Sequence, residues 1–76
     1  MNKYILFITL IDGKPVRRIQ YASREFVDNK TAVSAYKQQI TDLLKSYHDV
    51  KCVIELLGHD IGEISASRDK SHGMDH

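Results

Sequence analysis

An apolar run rich in β-branched and aromatic side chains extends from Tyr4 to Ile11 and ends directly in Asp12-Gly13. This pair suits a two-residue type I′ hairpin turn, because both central positions of that turn need a positive φ. The sequence therefore predicts a β-hairpin in which Ile11 faces Lys14. Continuing the same register back along both strands pairs Tyr4 with Tyr21.

An amphipathic helix is predicted over residues 31–48, because apolar side chains recur there at steps of three and four. They fall within an arc of about 100°, which is the width of a helix face that packs on one surface. The members of this stripe are Val33, Tyr36, Ile40, Leu43, Leu44 and Tyr47. Asp28 and Asn29 precede the helix, and either side chain can accept hydrogen bonds from the free amides of its first turn.

Two further strands are predicted at residues 51–57 and 61–67, with a turn at 58–60, and the last strand has the weaker pattern. The sequence thus predicts one α+β domain over residues 1–67, in which a hairpin precedes one amphipathic helix and one or two further strands. The helix packs across one face of a small, mainly antiparallel sheet. This element order resembles that of the β-grasp architecture, which alone implies no function. Residues 68–76 contain a single apolar side chain and are predicted to be a disordered polar tail.

The length of the chain limits its chemistry. A domain of 76 residues buries only about 60% of its unfolded surface, so that a lone core supplies on the order of 3–5 kcal/mol. We therefore expect oligomerisation and no elaborate catalytic cleft. The net charge of +1 argues against a strongly basic nucleic-acid-binding domain.

Cysteine usage and hydropathy bear on the compartment. Cys52 is the only cysteine, so the chain makes no internal disulfide and a reducing compartment is favoured. We expect the cytoplasm. No apolar run approaches the roughly 20 residues that a membrane helix needs, so no membrane partner is expected.

The first strand is apolar on both faces, whereas a single helix covers only one of them. Simple alternation turns Leu10 toward the helix and Ile11 away from it. The uncovered side is predicted to be a surface for contact with another protein or with a second copy in a homodimer. Its predicted residues are Ile5, Phe7, Val16, Val53 and Leu57. In the alternative, the segment of residues 23–30, with Phe26 and Val27, folds back over this side.

Basic residues on the second strand suggest a different function. Pro15 marks this strand as a sheet edge, since proline donates no hydrogen bond to a neighbour. A two-stranded ribbon can enter a major groove, and arginine suits phosphate and guanine contacts. A nucleic-acid interface would use Lys14, Arg17, Arg18 and Arg24. Positive charge on an edge strand also serves simply to block aggregation, and this is the favoured interpretation.

No catalytic residue is predicted. The groups considered for catalysis are Cys52 with a histidine, or Asp60 with Glu63. Cys52 lies in an apolar strand and is expected to behave as a small hydrophobe. The chain has no glycine-rich phosphate loop and none of the common hydrolase or metalloprotease motifs. We expect a non-enzymatic protein without a cofactor or small-molecule substrate.

No metal site is predicted either. His72 and His76 are four residues apart and Asp75 lies beside them, but this segment has no apolar face that would form a helix. A zinc site needs a fixed set of three or four ligands, and Cys52 has no neighbouring cysteine. We therefore interpret these histidines as surface residues.

Overall fold

The computed structural model describes residues 1–68, which form four strands and an α-helix continued by a 3₁₀ segment. The elements are β1 (Asn2–Ile11), β2 (Lys14–Phe26), α1 (Asn29–Gln39), the 3₁₀ segment (Ile40–Lys45), β3 (Asp49–Leu56) and β4 (His59–Ser67). The predicted α+β class is confirmed. The last two strands both form, and each begins two residues earlier than predicted. Apart from Arg68, the predicted tail lies outside the described residues.

The four strands form one sheet in the order β2-β1-β3-β4, so that β1 and β3 are central. All three pairings between the described strands are antiparallel. The resemblance to the β-grasp architecture is one of element order alone. Because α1 follows β2 and precedes β3, it returns the chain across one side of the sheet and leaves the other side without a helix.

Both hairpins close through two-residue turns with positive φ. Asp12 (φ 51°) and Gly13 (φ 79°) form the first turn, which is the predicted one, and Ile11 pairs with Lys14. Leu57 (φ 52°) and Gly58 (φ 82°) form the second turn. The prediction that a turn at residues 58–60 follows a strand ending at Leu57 was therefore wrong. A leucine is an unexpected residue here, because positive φ disfavours side chains larger than those of glycine, asparagine and aspartate.

A β-bulge in β1 reverses the faces of the side chains that follow it. The pairing of β1 with β3 shifts between Ile8 and Leu10, so that Thr9 is an extra residue in β1. Since side chains alternate along a strand, one extra residue turns its successors to the other side. Ile11 consequently packs against the core, whereas Leu10 does not. The two residues occupy the faces opposite to those predicted.

The pairing of β1 with β2 is also irregular. β2 has 13 residues against the 10 of β1, and the register shifts at two places along the pair. The uniform register predicted from the turn is correct only beside that turn, and Tyr4 pairs with Arg24 instead of Tyr21. Val16, predicted on the uncovered side, packs against the core instead.

The helix begins as its sequence predicts. Asp28 is the N-cap, and its Oδ1 accepts a hydrogen bond of 2.8 Å from the backbone N–H of Thr31. Hydrogen bonds from the side chain and backbone of Thr31 lower the pKa of Asp28. Of the predicted stripe, Tyr36, Ile40 and Leu43 are buried and Val33 and Tyr47 pack against the core, whereas Leu44 does neither. The helix is shorter than predicted, because its continuation tightens into the 3₁₀ segment.

The core lies between the sheet and the helix layer and centres on three aromatic rings. The ring of Phe26 lies 5.8 Å from that of Tyr4 and 5.3 Å from that of Tyr36, both in edge-to-face arrangement. The Tyr36 hydroxyl donates to the carbonyl oxygen of Tyr4, and the Tyr4 hydroxyl donates to Oδ1 of Asn29, both at 2.7 Å. Since Phe26 lies under the helix, residues 23–30 do not cover the other side of the sheet.

Asp12 joins the first turn to the start of β3. Its Oδ1 accepts from the backbone N–H groups of His48 (2.7 Å) and Asp49 (2.8 Å). Its own N–H donates to the carbonyl oxygen of Asp49 at 2.9 Å. These three bonds fix the end of the β1–β3 pairing.

Candidate interaction surface

The side of the sheet away from α1, called the open face below, carries a small apolar centre. Its members are Ile5, Phe7, Leu10 and Val53, all partly buried. Among the described residues, none of the four belongs to the core cluster or packs against it. Phe7 and Val53 are direct cross-strand partners, so their side chains are neighbours. Polar and charged residues pair with these four across the sheet: Gln20, Lys51, Glu55 and, beside Val53, Glu63.

Arg18 crosses the open face from the edge strand β2. Its guanidinium carbon lies 4.5 Å from the centre of the Phe7 ring, in a cation–π contact. Its Nη2 lies 3.1 Å from Oε2 of Glu55 and 3.0 Å from Oδ1 of Asp60. The hydrogen bond from Arg18, together with its charge, lowers the pKa of Asp60. Arg18 therefore covers part of the apolar centre and remains 42% exposed itself.

The structure brings three of the five predicted interface residues together. Ile5, Phe7 and Val53 share the open face, as their alternation predicted. Val16 packs against the core, and Leu57 lies in the second turn with 82% of its surface exposed. Leu10 was missed, because nothing in the sequence marks Thr9 as the extra residue of a bulge.

The four basic residues proposed for nucleic-acid contact do not share one surface. Arg18 lies over the open face, where two carboxylates neutralise it. Arg24 lies on the helix side of the sheet: its Nη1 donates to Oε1 of Gln39 at 3.1 Å and its guanidinium stacks over Phe26 at 4.8 Å. Lys14 and Arg17 are exposed near the first turn. The continuous basic ribbon of the prediction is therefore divided between two faces.

The groups considered for catalysis and metal binding occupy separate places. Cys52 is fully buried, and desolvation raises the pKa of its thiol to about 11. Asp60 is engaged by Arg18. No group of three or more histidine, cysteine, aspartate or glutamate side chains within residues 1–68 has a metal-binding arrangement. His72, Asp75 and His76 lie outside the described residues.

One surface depression lies along the exposed side of α1, not on the open face. It has a volume of about 400 Å³, and Asn29, Lys30, Val33, Ser34 and Lys37 line it. Val33 also packs against the core, and its Cγ2 would lie 3.9 Å from a Cβ placed on Gly62 of β4. The depression therefore adjoins the outer strand β4.

No known protein family, curated protein or solved structure matches this chain. Nor does any helix within residues 1–68 have both the length and the apolar character required to cross a bilayer. A functional assignment consequently depends on the geometry and chemistry of the surfaces described above.

Proposed function

We propose that this chain is a small, non-enzymatic binding module that acts through protein–protein contacts made by the open face, and that a second copy of the chain is the partner. The observation that carries the proposal is the position of Ile5, Phe7, Leu10 and Val53 on the side of the sheet that α1 leaves uncovered. Contiguous apolar surface of this kind is typical of interaction sites. The single buried cysteine agrees with a role in the cytoplasm.

A two-fold arrangement of two copies brings their apolar centres together. Suppose that two sheets stack face to face about a two-fold axis that runs parallel to the strands, between β1 and β3. Each β1 then faces the partner's β3, and each β2 faces the partner's β4. Arg18 of one copy is thereby placed near Glu63 of the other copy, which is the cross-strand partner of Val53. The apolar centres meet at the middle of the contact.

The size of the face sets the strength of this contact. Four strands about 4.8 Å apart and some eight residues long give a face of roughly 400 Å², about half of what each partner contributes to a standard interface. We therefore expect a weak dimer that depends on protein concentration.

Size-exclusion chromatography with light scattering tests the proposal. The native chain should approach twice the monomer mass of 8.7 kDa as its concentration rises. Phe7→Asp should remain monomeric, because it places a carboxylate in the middle of the apolar contact. Ile19→Asp is the matched control, since Ile19 is 46% exposed and pairs with Ile8 on the helix side of the sheet. It should associate like the native chain.

Two results would contradict the proposal. One is a native chain that stays at 8.7 kDa at the highest soluble concentration. The other is a Phe7→Asp variant that dimerises as the native chain does. Circular dichroism checks that the variant is folded, and Val53→Asp repeats the test at the neighbouring strand. Nucleic-acid binding is not proposed, because Arg18 is held by Glu55 and Asp60 and Arg24 faces the helix layer.

A further inference from the structure

The two outer strands of the sheet differ in how they are protected against pairing with another chain. β2 carries Pro15, several arginines and two register shifts, all of which hinder the addition of a strand. β4 follows a regular register from Gly62 to Ser67, without proline, and Glu63 is its only charged residue there. Within residues 1–68, β4 pairs only with β3. An unprotected and regular edge is a template for one more strand.

Helix α1 provides one wall beside this edge. Val33 packs against the core beside Gly62 of β4, where an added Cβ would lie 3.9 Å from its Cγ2, and it also lines the depression of about 400 Å³ on α1. Lys30 and Lys37 line the same depression, one turn before and one turn after Val33. Neither lysine forms an ion pair within the described chain. A strand added to β4 would therefore direct alternate side chains toward Val33 and these two positive charges.

We propose that the outer edge of β4, together with the exposed side of α1, binds an extended segment of a partner protein as a fifth strand of the sheet. The side chains of the segment that face α1 are apolar and acidic, and those on the other side are polar or basic, because Glu63 points there. Backbone hydrogen bonds supply affinity in this mode of binding, and alternate side chains supply specificity. The site is separate from the open face, and its use does not depend on self-association.

Like charge argues against a second copy as the occupant. If two β4 strands paired about a two-fold axis, the helices beside them would be brought together, and each copy would add Lys30 and Lys37 to the same region. Two lysines from each copy repel one another, whereas an acidic segment compensates them. Charge complementarity thus favours a different chain with glutamate or aspartate at alternate positions.

A designed peptide of about eight residues tests the proposal, since that length covers the regular stretch Gly62–Ser67 of β4 and extends past both of its ends. The probe is the extended peptide Lys-Val-Thr-Glu-Lys-Val-Thr-Glu, whose valines and glutamates share one side. The control peptide Lys-Val-Thr-Lys-Lys-Val-Thr-Lys reverses only the acidic positions. Titration of the full-length, isotope-labelled chain is followed by the amide signals of Gly62–Ser67 and of α1.

We expect the acidic probe to shift signals of β4 and α1 and to bind at least about tenfold more tightly than the control peptide. The double variant Lys30→Glu with Lys37→Glu should reverse this preference. Lys14→Glu, which changes an exposed lysine beside the first turn, should leave the preference unchanged. Phe7→Asp should bind the probe as the native chain does, which separates this site from the open face.

Several results would overturn the proposal. They are a probe that does not bind at about 1 mM, signal changes outside β4 and α1, and equal affinity for the two peptides. Amide exchange of the free chain tests the other occupants. If the amides on the outer edge of Gly62–Ser67 are already protected from exchange in the free chain, and the chain has twice the monomer mass, the edge is assigned to a second copy. Protection at the monomer mass of 8.7 kDa would assign it to residues 69–76.

Discussion

Replacing Leu57 with asparagine should stabilise the fold, although it removes an apolar side chain. Leu57 is the first residue of the β3–β4 turn and has a φ of 52°. In this region the Cβ of an ordinary residue crowds the following carbonyl, at a cost of roughly 1–2 kcal/mol. Asparagine tolerates the same conformation and is favoured in turns of this type.

The size of the expected stabilisation follows from the exposure of the Leu57 side chain. Leu57 is 82% exposed, so the fold buries only a small part of it. Full burial of a leucine contributes about 1.5–3 kcal/mol, and the part lost here is on the order of 0.4 kcal/mol. The relief of conformational strain is larger, which leaves a net gain of about 1 kcal/mol. For a domain of this size, that corresponds to a rise in Tm of about 4–8 °C.

Thermal unfolding of three variants checks this reasoning. Val27→Asn is the matched control, because Val27 is another exposed apolar residue, at 65%, and its φ is not positive. Its Tm should change little. Gly58→Ala should lower the Tm although a Cβ there meets nothing within 4 Å, because its φ is 82°. A Leu57→Asn variant that is no more stable than the native chain would contradict the strain at this residue and would mean that Leu57 packs against something.

Three further predictions concern the interior and the first turn. Asp12→Ala should lower the free energy of unfolding by about 2 kcal/mol, because two short hydrogen bonds to the amides of His48 and Asp49 are lost. Asp12→Asn keeps an acceptor and tolerates positive φ, so it should lose less than half of that. Urea unfolding measures both variants, and equal losses would contradict the role of the acceptor. Tyr36→Phe should cost about 1–1.5 kcal/mol in the same assay, because the buried carbonyl oxygen of Tyr4 loses its 2.7 Å donor, and a cost near zero would show that this oxygen finds another partner. Burial raises the pKa of the Cys52 thiol to about 11 in the folded state, compared with about 9 in the unfolded chain. Between these two pH values the folded state therefore binds more protons than the unfolded state. The stability of the native chain relative to Cys52→Ala is therefore complete below pH 9 and should decline as the pH rises toward 11, whereas a constant difference would contradict the burial of the thiol.

The parts of the fold that local chemistry determines were predictable. The pair Asp12-Gly13 indicated the first turn, since both residues accept a positive φ there. The N-cap Asp28 and the apolar stripe of the helix are equally local, and both are confirmed. The edge position of β2 followed from Pro15.

The faces of individual side chains were less predictable, because each depends on an exact register. A single unmarked bulge at Thr9 exchanges the sides of Leu10 and Ile11. Because Leu10 still pairs with Pro15, the same bulge turns Val16 to the helix side, where it packs against the core. Such irregularities are set by packing between strands that are distant in sequence, and no local pattern reveals them. The open face was therefore predictable only for Ile5, Phe7 and Val53.

The central pairing of the sheet joins distant parts of the chain, from Ile11 with Val50 to Tyr4 with Leu56. Each terminal hairpin, taken alone, is a two-stranded structure that is only marginally stable in water. Stability arises when the two hairpins meet along β1 and β3, after the segment between them has been closed into a loop. We therefore expect neither hairpin to fold stably without the other. A backbone break in the helix layer would yield two fragments, each of which completes the other's sheet.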